Sequence, residues 1–265
     1  MRMARRVDHD HRHAGHVDFQ IEVERSLRVL DGAVAVFSAV SGVEPLSETV
    51  WRQAGRFDVP RLCFINRMDQ IDADFERTVQ MIADRLGAHP IVLQLPVGRE
   101  GDFVGVIDLV SMNALRWDAG NPAPTAGAIP KRMRDAADEG RQRLLETLAD
   151  KDEAIMVTHI NGEAVEAWRI KAAVRKACIA GRLTPVLCGS DYRNVGVQPL
   201  LDAIVDYAPA PIDRPPVAGT NPRTGETEQR LPRPDEPVWS VGVHQGLCRS
   251  DRAGSPGGQY GDPQG

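Results

Sequence analysis

The sharpest chemical pattern in the sequence is Asn66-Arg67-Met68-Asp69, which directly follows the apolar run 60–66. A carboxylate at a strand end can accept two adjacent N–H donors, and guanine presents such a pair at N1 and N2. In this interpretation Asp69 accepts both donors, and Asn66 and Arg67 are further candidate contacts to the same ligand. A polar turn with local Asx hydrogen bonds is the alternative that these four residues leave open.

A second candidate loop is Gly189-Ser190, which follows the apolar run TPVLC. A backbone N–H in such a loop can donate to a carbonyl oxygen of a bound base. An ordinary turn between a strand and a helix is the competing interpretation. A third pattern, Gly15-His16, opens the predicted helix 18–30, and a histidine in that position can orient a water molecule.

The elements that would position these residues alternate between helical and apolar segments. Helices are predicted at 18–30, 46–57 and 72–86, and buried strands at 32–40 and 60–66. This alternation predicts a parallel sheet wound with helices.

The pattern of apolar and turn-forming residues changes after residue 91. Residues 91–117 are typical of short strands joined by turns, with one turn at Gly98 to Asp102. Further along the chain the pattern predicts helices at 130–149, 164–180 and 197–207 and a buried strand at 184–190.

Composition sets limits on the function. The 265 residues are 42% hydrophobic and 26% charged with a net charge of -5, which excludes a basic protein that wraps nucleic acid by itself. No apolar run approaches the ~20 residues of a membrane span, and the basic N-terminus has no signal-peptide core. The four cysteines form no CxxC pair, so we expect reduced thiols at Cys63, Cys178, Cys188 and Cys248.

Taken together, the segments 16–54, 60–69, 86–110 and 184–211 and the Pro-rich stretch that follows resemble the GTP-binding domain of translational GTPases, most closely elongation factor G. The resemblance covers about residues 15 to 240, with its motifs in order. It implies an α/β fold: an incomplete P-loop GTPase-type parallel sheet with helices on both faces, plus an inserted α+β subdomain. It also implies nucleotide binding through Gly15, Asn66, Arg67, Met68, Asp69, Gly189 and Ser190, with His16 as the catalytic residue that orients the attacking water.

The resemblance implies GTP as ligand, Mg²⁺ in the intact family, the ribosome as partner, a cytoplasmic location, no membrane and no direct sequence-specific contact with nucleic acid. It divides the chain into an aberrant N-terminal segment (1–15), a GTP-binding domain (16–95 and 183–208), an inserted subdomain (96–182), a linker towards a second domain (209–240) and an aberrant tail (241–265).

The sequence departs from the family in the phosphate-binding elements. No GxxxxGK[ST] loop occurs, and neither does the threonine loop that coordinates magnesium; both would precede residue 1. Arg12 stands where the family has an acidic residue, and a positive charge cannot replace a carboxylate near magnesium. Plausible codons for residues 8–14, read one base later, give Ile-Thr-Ile-Ile-Asp-Thr-Pro, the family peptide. A similar shift beyond Ser240 gives a family-like peptide, so we expect reading-frame shifts at both ends.

The same shift accounts for the histidine cluster near the N-terminus. His9, His11, His13 and His16 alternate with acidic residues in a pattern typical of weak metal binding. We favour the frame shift and predict no metal site.

These departures lead to three expectations. The strand at 32–40 would lack its neighbour and expose an apolar edge, which predicts marginal stability and poor solubility. The chain would be a fragment of a GTP-hydrolysing ribosomal translocase with little or no activity. A release-factor or ribosome-protection GTPase, or a non-catalytic ribosome-binding remnant, are the alternatives.

Overall fold

The computed structural model describes residues 27, 30–118, 123–210 and 213, and the backbone of three further strands at 217–220, 227–230 and 241–245. The predictions for residues 1–15, including Gly15, and for His16 and Cys248, lie outside the described residues. No helix within the described ranges is long and apolar enough to cross a membrane.

Seventeen helices and strands are numbered here in chain order. The helices are α1 (Pro45–Arg56), α2 (Phe75–Leu86), α3 (Arg134–Ala149), α4 (Glu153–Ile160), α5 (Ala167–Ile179) and α6 (Val197–Tyr207). The strands are β1 (Gly32–Ser38), β2 (Arg61–Asn66), β3 (Pro90–Val92), β4 (Gln94–Val97), β5 (Gly105–Asp108), β6 (Asn113–Arg116), β7 (Thr125–Gly127), β8 (Thr184–Cys188), β9 (Val217–Thr220), β10 (Thr227–Arg230) and β11 (Val241–Gln245).

The main sheet has five strands in the order β11-β1-β2-β8-β3, and each neighbouring pair is parallel. Strands β4 to β7 form an antiparallel sheet, and β9 pairs with β10 in a two-stranded sheet. The predicted α/β class, a parallel sheet flanked by helices, is confirmed.

Both faces of the main sheet are covered, as the continuous apolar strands predict. Leu62 and Phe64 of β2 face one core, which they share with α3, α5 and α6. Cys63 and Ile65 alternate with them and face a second core, shared with α1 and α2. Alternate residues of β2 therefore point to opposite faces of the sheet and contribute to different cores.

Helix α2 shows how local sequence sets element ends. Asp74 precedes it, and the Asp74 side chain accepts a hydrogen bond from the Arg77 amide at 2.9 Å. Gly87 ends the helix in the left-handed region, with φ 60°. These caps position the loop before α2, which carries the candidate base-recognition residues.

One expectation for the sheet is wrong. The sequence predicts an exposed edge at β1, but β11 lies beside it in parallel register, from Gly32 opposite Val241 to Val36 opposite Gln245. Alternation of Val241 and Val243 suits a strand, and a parallel partner needs only a long connection, which the intervening chain supplies. The β9–β10 hairpin and helix α4 also have no counterpart among the elements predicted from sequence.

Candidate functional site

The first candidate loop begins where β2 ends. Asn66 is buried, and its side-chain Oδ1 accepts the Arg67 amide at 2.8 Å. Arg67 has φ 66°, a left-handed conformation uncommon for a residue with a side chain. Ala39 at the end of β1 donates its amide to the Asn66 carbonyl at 2.8 Å. Asn66 therefore joins the ends of two parallel strands and turns the chain sharply.

The second candidate loop begins where β8 ends, and it is closed on itself. Ser190 and Val195 exchange amide hydrogen bonds, both at 2.9 Å, and the Ser190 hydroxyl accepts the Arg193 amide at 3.2 Å. Ser190 is fully buried. Gly196 then begins α6 with φ 82°. The loop is thus a compact turn held by its own backbone.

Three hydrogen bonds join the two loops. Asn66 Oδ1 accepts the Asp191 amide at 2.9 Å, Met68 donates its amide to the Gly189 carbonyl at 3.1 Å, and Gly189 donates to the Ile65 carbonyl at 2.9 Å. Since parallel strands end at the same sheet edge, neighbouring β2 and β8 bring their loops together there. The side-chain oxygen of Asn66 thereby serves both loops.

Glycine at position 189 is required by this close approach. A Cβ on Gly189 would lie 2.4 Å from the Val195 carbonyl oxygen and 2.6 Å from Phe64 Cζ. Any side chain would therefore separate the turn from the sheet.

The carboxylate of Asp69 lies beside a cation from the second loop. Arg193 Nε is 3.7 Å from Asp69 Oδ2, and the Asp69 side chain is only 10% exposed. The first candidate loop also contacts the turn at 98–103, because Glu100 donates its amide to the Met68 carbonyl at 3.1 Å. Asp69 thus lies where three segments of the chain converge.

The structure brings together the six predicted residues of the two strand-end loops: Asn66, Arg67, Met68, Asp69, Gly189 and Ser190. The Ser190 amide, which the sequence argument directed at a base oxygen, donates to Val195, and the next amide, of Asp191, donates to Asn66. Sequence reasoning missed Asp191 and Arg193. The polar run after Ser190 was the signal that marked them as loop residues.

The buried thiols behind the loops are structural. Burial raises the pKa of Cys63 on β2 and of Cys188 on β8 well above the ordinary thiol range. Burial also raises the pKa of Cys178 on α5 to about 12. None of these three thiols forms a disulfide. Protonated, enclosed thiols do not act as nucleophiles or metal ligands at neutral pH.

Within the described part of the chain, no three His, Cys, Asp or Glu side chains cluster as metal ligands. The sheet edge offers the nearly buried carboxylate of Asp69 together with backbone amide and carbonyl groups.

A parallel sheet flanked by helices, with two hydrogen-bonded loops at one strand-end edge, defines an α/β domain with a candidate binding site at that edge. The chain belongs to the Elongation factor Tu GTP binding domain family, whose model matches residues 13–210. Membership of this family implies guanine nucleotide as ligand and a place among translation-factor GTPases.

The crystal structure of a protein from Thermus thermophilus is similar to this chain. It shares 29% sequence identity with a TM-score of 0.67 over 77% of this chain. The match spans 31% of that chain's length. The present sequence therefore corresponds to about a third of the Thermus protein.

Proposed function

We propose that the two strand-end loops recognise the guanine base of GTP. The observation that carries this is the Asn66 side-chain oxygen, which holds the Arg67 and Asp191 amides and so fixes both loops around the Asp69 carboxylate. A fixed carboxylate accepts the N1 and N2 hydrogens of guanine, whereas adenine presents no such donor pair. Arg67 supplies a stem to cover the purine plane.

The whole protein of which these residues form the GTP-binding part acts, we propose, as an elongation factor G-like translocase on the ribosome in the cytoplasm. The inserted segment supports this over the release-factor and ribosome-protection types, because β4–β7 and α3–α5 separate the two base loops. We propose the boundaries 16–95 and 183–208 for the GTP-binding domain and 96–182 for this insert, with 209–240 as the linker.

Phosphate binding and hydrolysis are assigned to residues outside the described structure. Gly15 would donate its amide to the γ-phosphate and His16 would orient the attacking water. The printed sequence contains no GxxxxGK[ST] loop. We therefore expect the 265-residue chain to hold the base weakly and to hydrolyse little or no GTP, with any magnesium held by nucleotide phosphates.

A second candidate function is ribosome binding without catalysis. The sequence feature that favours it is again the lack of a GxxxxGK[ST] loop. Co-sedimentation of the chain with ribosomes, with and without GTP, distinguishes the two. Binding that is unaffected by nucleotide supports the non-catalytic alternative.

The test of base recognition uses ligands that place little weight on phosphate contacts. Guanosine and adenosine monophosphates are titrated into the 265-residue chain and followed by saturation-transfer NMR. We expect a Kd for the guanosine ligand on the order of 1 mM, about −4 kcal/mol, and weaker binding of the adenosine ligand. Equal binding of the two ligands would contradict guanine recognition.

A further inference from the structure

The Arg193 side chain contacts two other segments at the candidate base site. Its Nη1 donates to the Gly101 carbonyl at 2.9 Å and to the Phe103 carbonyl at 3.5 Å, both in the inserted segment. Its Nε is 3.7 Å from Asp69 Oδ2.

The backbone that carries Arg193 is held in place. Its amide donates to the Ser190 hydroxyl, and the following residue, Asn194, has φ 54° and donates its amide to the Asp191 carbonyl at 3.1 Å. The guanidinium therefore extends from a turn whose backbone is held by hydrogen bonds, and this restricts the positions that the side chain can take.

The segment that receives the guanidinium is equally constrained. Gly98 has φ 88°, and a Cβ there would lie 1.9 Å from the Asp102 carbonyl oxygen. Glu100 makes two hydrogen bonds to the segment that follows β2. Its amide donates to the Met68 carbonyl, and its side-chain Oε1 accepts the Asp72 amide at 3.0 Å. The turn at 98–103 is thus a rigid platform beside Asp69.

A stabilising role alone does not explain the arrangement. The Arg193 side chain is 38% exposed, and ion pairs open to solvent contribute little to folding. The carboxylate is the more enclosed partner, and it is the group assigned to the base. The Arg193 guanidinium is held by two carbonyl acceptors, and it places its charge 3.7 Å from Asp69 Oδ2, which is longer than a hydrogen bond. It therefore attracts this oxygen as a charge at a fixed position.

We propose that Arg193 is a positioning residue that orients the Asp69 carboxylate for guanine and couples the inserted segment to base selection. This inference rests on the proposed guanine recognition. With Oδ2 turned towards Arg193, the remaining lone pairs of the carboxylate face the N1 and N2 hydrogens of the base. Preorienting the carboxylate avoids the cost of ordering it on binding.

The contribution of Arg193 can be measured by comparing the affinities of two ligands, one with and one without the 2-amino group of the base. Inosine monophosphate lacks this group and presents only N1–H to Asp69. A misoriented carboxylate loses the bidentate contact with guanosine monophosphate but keeps most of a single contact with the inosine ligand. The ratio of the two affinities therefore reports orientation, whereas global loosening of the fold lowers both affinities equally.

The experiment compares the full 265-residue chain with Arg193→Met, which keeps the stem but removes the charge and the donors. Both ligands are titrated by saturation-transfer NMR, with Arg182→Met, an exposed arginine before β8, as the matched control. We expect the guanosine-to-inosine preference to fall about tenfold in Arg193→Met, as for loss of one charge-assisted contact, and to stay unchanged in Arg182→Met.

Two outcomes overturn the proposal. Equal loss of both affinities shows a merely structural role, and a gain in guanosine affinity shows that Arg193 competes with the base for Asp69. Should Arg193→Met unfold, Arg193→Lys keeps the charge without the fork and is expected to show a smaller fall in the same ratio. Equal binding of the guanosine and adenosine ligands by the wild-type chain would refute the proposed function itself. This result is distinct from the two outcomes that refute only the role of Arg193.

Discussion

At the scale of single residues, buried polar groups hold the candidate site. Asn66 and Ser190 are both enclosed, yet each satisfies backbone amides that the loops would otherwise leave unpaired. An unpaired buried donor costs about 1–3 kcal/mol, so these side chains stabilise the two loops as well as shape them. Folding alone therefore places a constraint on the residue at both positions.

Gly189→Ala tests the close approach of the second loop to the sheet. A Cβ would contact the Val195 carbonyl oxygen and Phe64, so we expect a loss of about 1–3 kcal/mol in the free energy of unfolding. Urea denaturation measures it. Gly127→Ala is the control, because a Cβ there meets nothing within 4 Å. Equal stability of the two variants would contradict the described packing.

Buried thiols lower the free energy of unfolding of the chain at alkaline pH. The folded pKa of Cys178 is about 12, above the ordinary value of 9.0. A raised folded pKa contributes stability that is present below pH 9 and lost as the pH rises from 9 towards 12. We expect a loss of about 1 kcal/mol from this thiol between pH 8 and pH 10.

Urea denaturation at pH 8 and pH 10 measures the alkaline loss. Cys178→Ala removes the titrating group, so its stability should fall less between the two pH values than that of the wild-type chain. An identical fall in both proteins would show that Cys178 is not the group responsible.

At the scale of elements, β11 protects the edge of the main sheet. Five residues, Val241–Gln245, pair with β1 in parallel. Removing residues 241–265 would leave the apolar strand β1 unpaired at the edge, and exposed edges promote aggregation. We expect this truncation to lower the soluble yield and to raise light scattering on warming.

A shorter truncation supplies the control for β11. Deleting residues 246–265 keeps the strand, so this variant should match the intact chain in solubility. If both truncations behave alike, the pairing of β11 with β1 contributes nothing to the protection of the edge.

Elements with strong local signals were predictable from the sequence. Strand β2 and helix α6 lie within one residue of their predicted bounds, because an apolar run and a helical repeat closed by Pro209 specify them locally. Strand β11 was missed, because its pairing with β1 depends on a contact about two hundred residues away along the chain. The Arg193–Asp69 pair was missed for the same reason, since only the folded sheet edge brings the two loops together.

At the scale of the whole molecule, the proposed insert 96–182 and the main sheet share one core. Leu62 and Phe64 of β2 belong to the same buried cluster as Leu144 and Leu148 of α3. Within 96–182, Arg141 donates to the Leu109 and Val110 carbonyls at 2.7 and 2.8 Å and to the Val165 carbonyl at 2.8 Å. We infer that the insert and the sheet unfold together.

Arg141→Met tests whether the two parts unfold together, because it weakens contacts within residues 96–182 alone. Losing three charge-assisted contacts should lower the free energy of unfolding by about 2–3 kcal/mol, since the carbonyls are left without this donor. Circular dichroism and tryptophan fluorescence should still report one coincident transition. Separate transitions for the two probes would mean that the insert unfolds independently of the sheet.

Guanine recognition by Asp69 is the central claim, and Asp69→Asn tests it most directly. Xanthine carries a carbonyl where guanine carries its 2-amino group, and an asparagine amide can donate to that oxygen. Affinities for guanosine and xanthosine monophosphates are measured by saturation-transfer NMR in the wild-type chain, in Asp69→Asn and in the exposed control Asp84→Asn. We expect the wild-type and control proteins to prefer the guanosine ligand by about tenfold or more, and Asp69→Asn to prefer the xanthosine ligand. An unchanged preference in Asp69→Asn would contradict the assignment of this carboxylate to the base.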